Sequence, residues 1–134
     1  MKTILMMTLA ATVLLGGNLS PHIAQAQQPG IKRIDLQRHD LSVPGREVHQ
    51  VIVEFAPGVA FPKHSHPGEE IVYVIEGLLE YVLEGKPAVT LKAGEVLFIP
   101  AGAAHTARNV GSGNASELAT YIVEKGKPLL SLSK

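Results

Sequence analysis

Glycine and proline interrupt this chain so often that it has room for little except short strands. Beyond Gly45 the chain reads as the strands EVHQVIVEF, HSH, EEIVYVIEG, LLEYVLEG, AVTLKAG, EVLFIPAG, HTARNVG and SELATYIVEKG, with a turn-forming residue at nearly every junction. No run after the N-terminal stretch repeats its apolar residues at helical spacing. The pattern predicts an all-β domain, and short strands at regular intervals favour a sandwich or a small barrel. The preceding segment, IKRIDLQRHDLSVPG, alternates weakly and closes on Pro44-Gly45, as a leading strand or arm would. Nothing in the pattern argues for a second domain.

The N-terminus has a different character. Lys2 precedes an apolar stretch from Ile4 to Leu15, then Gly16, Gly17 and Pro21, and the small-x-small triplet Ala24-Gln25-Ala26. An apolar core of about a dozen residues is too short to span a bilayer, which takes ~20. Residues 1–26 are therefore expected to be a secretory signal peptide, removed to leave residues 27–134 as the mature domain, beginning at Gln27 and exported to a periplasm or secreted. An uncleaved anchor is the alternative. Cysteine is absent, so disulfides, thiolate chemistry and lipid attachment at a mature N-terminal cysteine are all excluded.

The full chain carries 12 basic and 12 acidic residues, and loss of the leader removes only Lys2 from that balance. A chain this close to neutral offers no electrostatic attraction for nucleic acid or an anionic membrane, so neither is expected as a partner of the processed protein.

Four side chains carry the chemistry. His64, His66 and Glu70 lie in GVAFPKHSHPGEEIVYVIEG, and His105 lies in GEVLFIPAGAAHTARN. Imidazole nitrogen and carboxylate oxygen suit divalent transition metals, and four such ligands leave an octahedral ion with open positions for water or substrate. Strand alternation puts His64, His66 and Glu70 on one face of an extended path, with Val72 and Val74 continuing it, and turns Glu69 away. His105, Ala107 and Asn109 share a face by the same rule. Ile71, Tyr73 and Ile75 then point outward and need cover from a second sheet or a second subunit. His39 and His49 are read as ordinary polar residues. Gly58, Gly77, Gly94, Gly102 and Pro100 are read as turn residues.

The two runs resemble the paired signatures of the cupin superfamily. Gly58 is followed by five residues, His64-x-His66, three residues, Glu70, six residues and Gly77; Gly94 is followed by five residues, Pro100-x-Gly102, two residues, His105, three residues and Asn109. The resemblance extends from about Ile31 to Pro128 and implies a single-domain, all-β cupin fold of barrel or jelly-roll type. It also implies a metal held by His64, His66, Glu70 and His105, and a homodimer. Iron, manganese, nickel, zinc, cobalt and copper all accept such a ligand set, so the ion is not distinguished.

A divalent ion with three neutral imidazoles and one carboxylate keeps about one positive charge, which favours an anionic or readily deprotonated oxygen ligand. Val51, Val53, Phe55, Val72, Val74, Leu79, Tyr81 and Phe98 are expected to form a mostly apolar wall, with few polar groups beyond the ligands. The expected function is metal-dependent action on a small, partly apolar, oxygenated molecule, dioxygenase chemistry first, with Glu70 accepting the substrate proton. The alternatives are a non-catalytic binding or sensing cupin and a metal-dependent isomerase or decarboxylase.

Overall fold

A computed structural model describes residues 28–133, and the leader reading of residues 1–26 lies outside them. The strands are β1 (Ile31–Asp40), β2 (Arg46–Phe55), β3 (Ala60–Ser65), β4 (Gly68–Glu76), β5 (Leu78–Leu83), β6 (Val89–Lys92), β7 (Val96–Ile99), β8 (His105–Asn109), β9 (Ala115–Glu124) and β10 (Ser131–Leu132). No helix occurs among the described residues. Two five-stranded antiparallel sheets result, ordered β1-β2-β9-β4-β7 and β10-β3-β8-β5-β6. This is the all-β architecture that the turn spacing predicts. The leading segment is β1, at the edge of the first sheet.

Strand alternation fills the space between the sheets. Val51, Val53 and Phe55 of β2, Val72 and Val74 of β4, Leu79, Tyr81 and Leu83 of β5, and Ala119, Tyr121 and Val123 of β9 are all buried, in steps of two. Outward partners on β4 stay exposed: Ile71 at 40%, Tyr73 at 46% and Ile75 at 43%. Phe98 departs from expectation. It is 59% exposed on β7, opposite Ile71, and takes no part in a pocket wall, because alternation along β7 turns Ile99 inward instead.

The chain changes sheets between the two halves of the histidine motif. β3 belongs to the second sheet and β4 to the first, with His66 and Pro67 spanning the gap. The even-numbered residues nevertheless stay inside, since the inner faces of both sheets bound the same interior.

Gly68 makes this crossing possible. A Cβ there would stand 2.0 Å from the carbonyl oxygen of Ile122 and 2.6 Å from Cα of Val123. Both atoms are backbone of β9, so neither yields without moving the strand, and Gly68 lets β4 close against β9 two residues before Glu70. Gly68→Ala should therefore destabilise the domain by about 3 kcal/mol or more, as overpacking against backbone does. Urea unfolding measures it, and a loss below 1 kcal/mol would show that β4 is not held this tightly. Gly77 serves the next turn at φ +76°, where a side chain would collide with Ala115.

Asn109, fully buried, ties the loops below the site together. Its amide donates to the carbonyls of Phe55 and Gly113, and its oxygen accepts from the Gly111 N–H.

Candidate metal centre

β3, the crossing segment, β4 and β8 bring His64, His66, Glu70 and His105 together. All four are buried, and one ligand atom from each lies within 4.8 Å of the others. Register accounts for part of this, because His64 on β3 stands directly opposite His105 on β8. Their rings are 4.2 Å apart, and the His64 and His66 rings 4.9 Å apart. Oε2 of Glu70 is 3.2 Å from Nε2 of His66 and 3.2 Å from Nε2 of His105.

Each imidazole is locked by its other nitrogen. Nδ1 of His64 lies 2.8 Å from the carbonyl of Pro62, Nδ1 of His66 2.6 Å from that of Leu129, and Nδ1 of His105 2.9 Å from that of Ala103. A carbonyl only accepts, so every Nδ1 carries the proton and every Nε2 of a neutral ring presents a bare lone pair. Hydrogen bonds of this kind, made by the ring nitrogen that faces away from an ion, orient metal-binding histidines and set their tautomer.

The arrangement leaves polar atoms unpaired. Nε2 of His66 and Oε2 of Glu70 are buried without a hydrogen-bond partner. Lone pairs facing one another across about 3 Å in a protein interior repel, and orphaned buried polar atoms are costly. A cation among them resolves both problems, so the donor set fits a divalent metal ion.

Protonation favours the same ligand set. Burial, and then the neighbouring His105, lower His64 to about 4, which keeps it neutral. Burial works to raise the Glu70 carboxyl, but the imidazoles of His105 and His66 outweigh it and hold the group below its ordinary range. A cation among the four side chains would hold the carboxylate charged in the same direction.

The cavity beside these four is lined by Arg33, Val53, Phe55, Phe61, Tyr81, Ala107, Glu117 and Tyr121. At about 10 Å³ it has room for roughly one water molecule. Of the expected wall, Val53, Phe55 and Tyr81 line it, whereas Val51, Val72, Val74 and Leu79 belong to the surrounding core.

The expected shortage of polar groups does not hold. Glu117 of β9 is 4% exposed, lines the cavity and accepts a hydrogen bond from the Tyr81 hydroxyl. Burial, reinforced by the charge on Glu70, pushes Glu117 up to about 8, against the opposing pull of Tyr81 and Arg33. At neutral pH it is largely a neutral carboxylic acid. Burial likewise raises the Tyr81 and Tyr121 hydroxyls, so both remain proton donors. Alternation along SELATYIVEKG could have found Glu117 and Tyr121, which share a face with Ala119 and Val123.

Other sequence readings fall outside the site. His39 is exposed, and Nε2 of His49 lies 3.0 Å from Glu47, which also binds Arg38. Glu69 points away and meets Arg46 at 2.5 Å.

The cupin domain family profile matches residues 51–127. Dimethylsulfoniopropionate lyase DddQ of Ruegeria pomeroyi is 37% identical over 57 residues, covering 42% of this chain and 28% of the lyase. Germin-like protein 1-1 of Oryza sativa subsp. japonica is 36% identical over 74 residues, covering 52% of this chain and 34% of its own. This chain thus spans about a third of the length of these curated relatives. A crystal structure of recombinant oxalate oxidase in complex with glycolate superposes with a TM-score of 0.64 at 26% identity, over 80% of this chain and 57% of the oxidase.

Proposed function

This chain belongs to the cupin domain family, and from that premise we propose that it holds a divalent transition metal ion on His64, His66, Glu70 and His105 and acts on a small, partly apolar, oxygenated molecule. The observation that carries this reading is the orphaned pair, Nε2 of His66 and Oε2 of Glu70, at the centre of three imidazoles locked in one tautomer. A metal ion there would supply Lewis-acid or redox chemistry at a substrate oxygen.

The protein's own groups supply proton handling. Glu70 is held as a carboxylate, so it serves as acceptor for a substrate hydroxyl proton, in the role expected from the sequence. Glu117, protonated and backed by the Tyr81 hydroxyl, serves as donor toward a developing negative oxygen. Val53, Phe55, Phe61 and Ala107 keep bulk water away and strengthen these interactions. A site with both an acceptor and a donor beside the ligand set favours catalysis over passive binding.

The relatives' names include a lyase, and a structural neighbour is an oxidase, so the fold leaves the reaction open. Oxygen-dependent oxidation is our first reading. Oxygen uptake by metal-loaded protein offered enols and 2-hydroxy acids tests it. Turnover with stoichiometric oxygen loss is the expected result. Equal turnover without oxygen would move the reading to a lyase, isomerase or decarboxylase, and saturable binding without turnover would make the protein a sensor or carrier.

Export and dimerisation are part of the same proposal. The outer face of β4 and β7 pairs Ile71 with Phe98 and Tyr73 with Val96, all at least 40% exposed, and a second copy of the chain would cover them. Protein recovered from the exported fraction should begin at Gln27 by intact mass, scatter light as a dimer and carry close to one metal ion per chain. A membrane-bound chain retaining Met1, a monomer, or metal-free protein would each remove the corresponding part.

A further inference from the structure

Arg33 joins the metal-site cavity to a larger groove. The groove, of about 540 Å³, runs along β1 and β2 and is lined by residues including Gln37, His49, Gln50 and Leu129; Arg33 lines both spaces. Its position follows from register, since Arg33 stands opposite the buried Val53 and two residues after the buried Ile31, on the inward face of β1. Leu129, on the groove side, is the residue whose carbonyl orients His66.

No carboxylate lies within ion-pair distance of Arg33 among the described residues; every other ion pair of the β1–β2 hairpin is made by Lys32, Arg38, Asp40, Arg46 or His49. Its guanidinium instead lies 5.9 Å from the ring centre of Tyr121. An inward-facing cation normally has an anionic partner. Here the guanidinium, engaged by the Tyr121 hydroxyl but by no carboxylate salt bridge, lines both the cavity and the groove, and it presents its donors in the fork that matches a carboxylate.

We propose that Arg33 is a substrate-recognition residue, and that the molecule acted on carries a carboxylate which enters along the β1–β2 groove and pairs with Arg33 while its reacting oxygen faces the four-residue centre. The proposal names the substrate class for the function proposed above and rests on that reading. A single carboxylate suits the cavity better than a phosphate does. The Glu70 carboxylate lines the same space, and a dianion would meet more of its repulsion than a monoanion does.

Lactate and its methyl ester separate the carboxylate from the rest of the molecule. Calorimetric titration of both into cobalt-loaded wild type, Arg33→Gln and Arg33→Lys, with metal content measured on each sample, tests the assignment. Wild type should bind lactate at least tenfold more tightly than methyl lactate. Arg33→Gln should lose roughly 10- to 100-fold in lactate affinity, the size of a charged hydrogen-bond pair, and leave the ester unchanged. Arg33→Lys should recover part of the loss. Lactate binding within twofold in wild type and Arg33→Gln, an ester that binds as well as the acid, or no binding of lactate by wild type would each overturn the proposal. Full cobalt content alongside any of these results leaves the metal reading standing. Failure of wild type to take up cobalt sinks that reading, and the same titrations on metal-free protein then still decide whether Arg33 selects the acid over the ester.

Discussion

Protein carrying His64→Ala and His105→Ala together should hold less than a tenth of the metal that wild type holds, and should keep its β-sheet spectrum. Only His66 and Glu70 would remain of the four clustered ligands. Removing only a group that hydrogen-bonds a ligand costs about 10- to 100-fold in affinity, so losing two direct ligands should cost on the order of a hundredfold or more. The fold survives because the strands are specified by Val51, Val53, Phe55, Val72, Val74 and Leu79, none of which is touched. Thermal melting gives an independent readout. Metal at 100 times its dissociation constant stabilises wild type by about 2.7 kcal/mol, a rise of roughly 10 °C for a domain of this size, and the double variant should show no rise. Near-stoichiometric metal in the folded double variant would show that the ion sits elsewhere.

The clustering of His64, His66, Glu70 and His105 was legible in the sequence because these residues follow local rules. His64, His66 and Glu70 keep even parity, and the turn residues around them fix where each strand starts and stops. That parity survived a step the sequence does not reveal, the passage from one sheet to the other at His66 and Pro67. It survived because both inner faces bound one interior, so a residue that leaves the second sheet pointing inward joins the first sheet doing the same.

What was missed came from distant strands. Arg33 reaches the cavity from β1 and Glu117 and Tyr121 from β9, and only the strand order β1-β2-β9-β4 brings them beside Glu70. Alternation assigns each of them a face, but no local pattern says which neighbour that face meets. Phe98 failed for another reason. Apolar character suggested an inward position, whereas pairing with β4 sets it opposite the outward Ile71, and Ile99 takes the interior. These differences alter the chemistry, because they replace an apolar pocket by one with a cation, a neutral acid and two phenols.

Glu70 and Glu69 offer the sharpest contrast available in adjacent residues. Glu69→Gln should leave metal affinity unchanged and stability within about 1 kcal/mol, since it loses only a partly exposed ion pair with Arg46. Glu70→Gln should lower metal affinity by on the order of 10- to 100-fold or more, because the carboxylate is the one negative charge the four-residue cluster offers. The metal-free proteins should behave in the opposite sense. In wild type the Glu70 carboxylate is 3% exposed, and its Oε2 faces the bare Nε2 atoms of His66 and His105. A glutamine amide can donate to one of those lone pairs and carries no charge to desolvate, so metal-free Glu70→Gln should melt at or above metal-free wild type. Were Glu70 instead half of a structural ion pair with protonated histidines, removing it would strand a buried charge and cost about 3–5 kcal/mol. Melting curves of the two variants, with and without metal, discriminate these cases. A metal-free Glu70→Gln protein several kilocalories less stable than wild type, with metal affinity intact, would make the cluster a structural ion pair and not a metal centre.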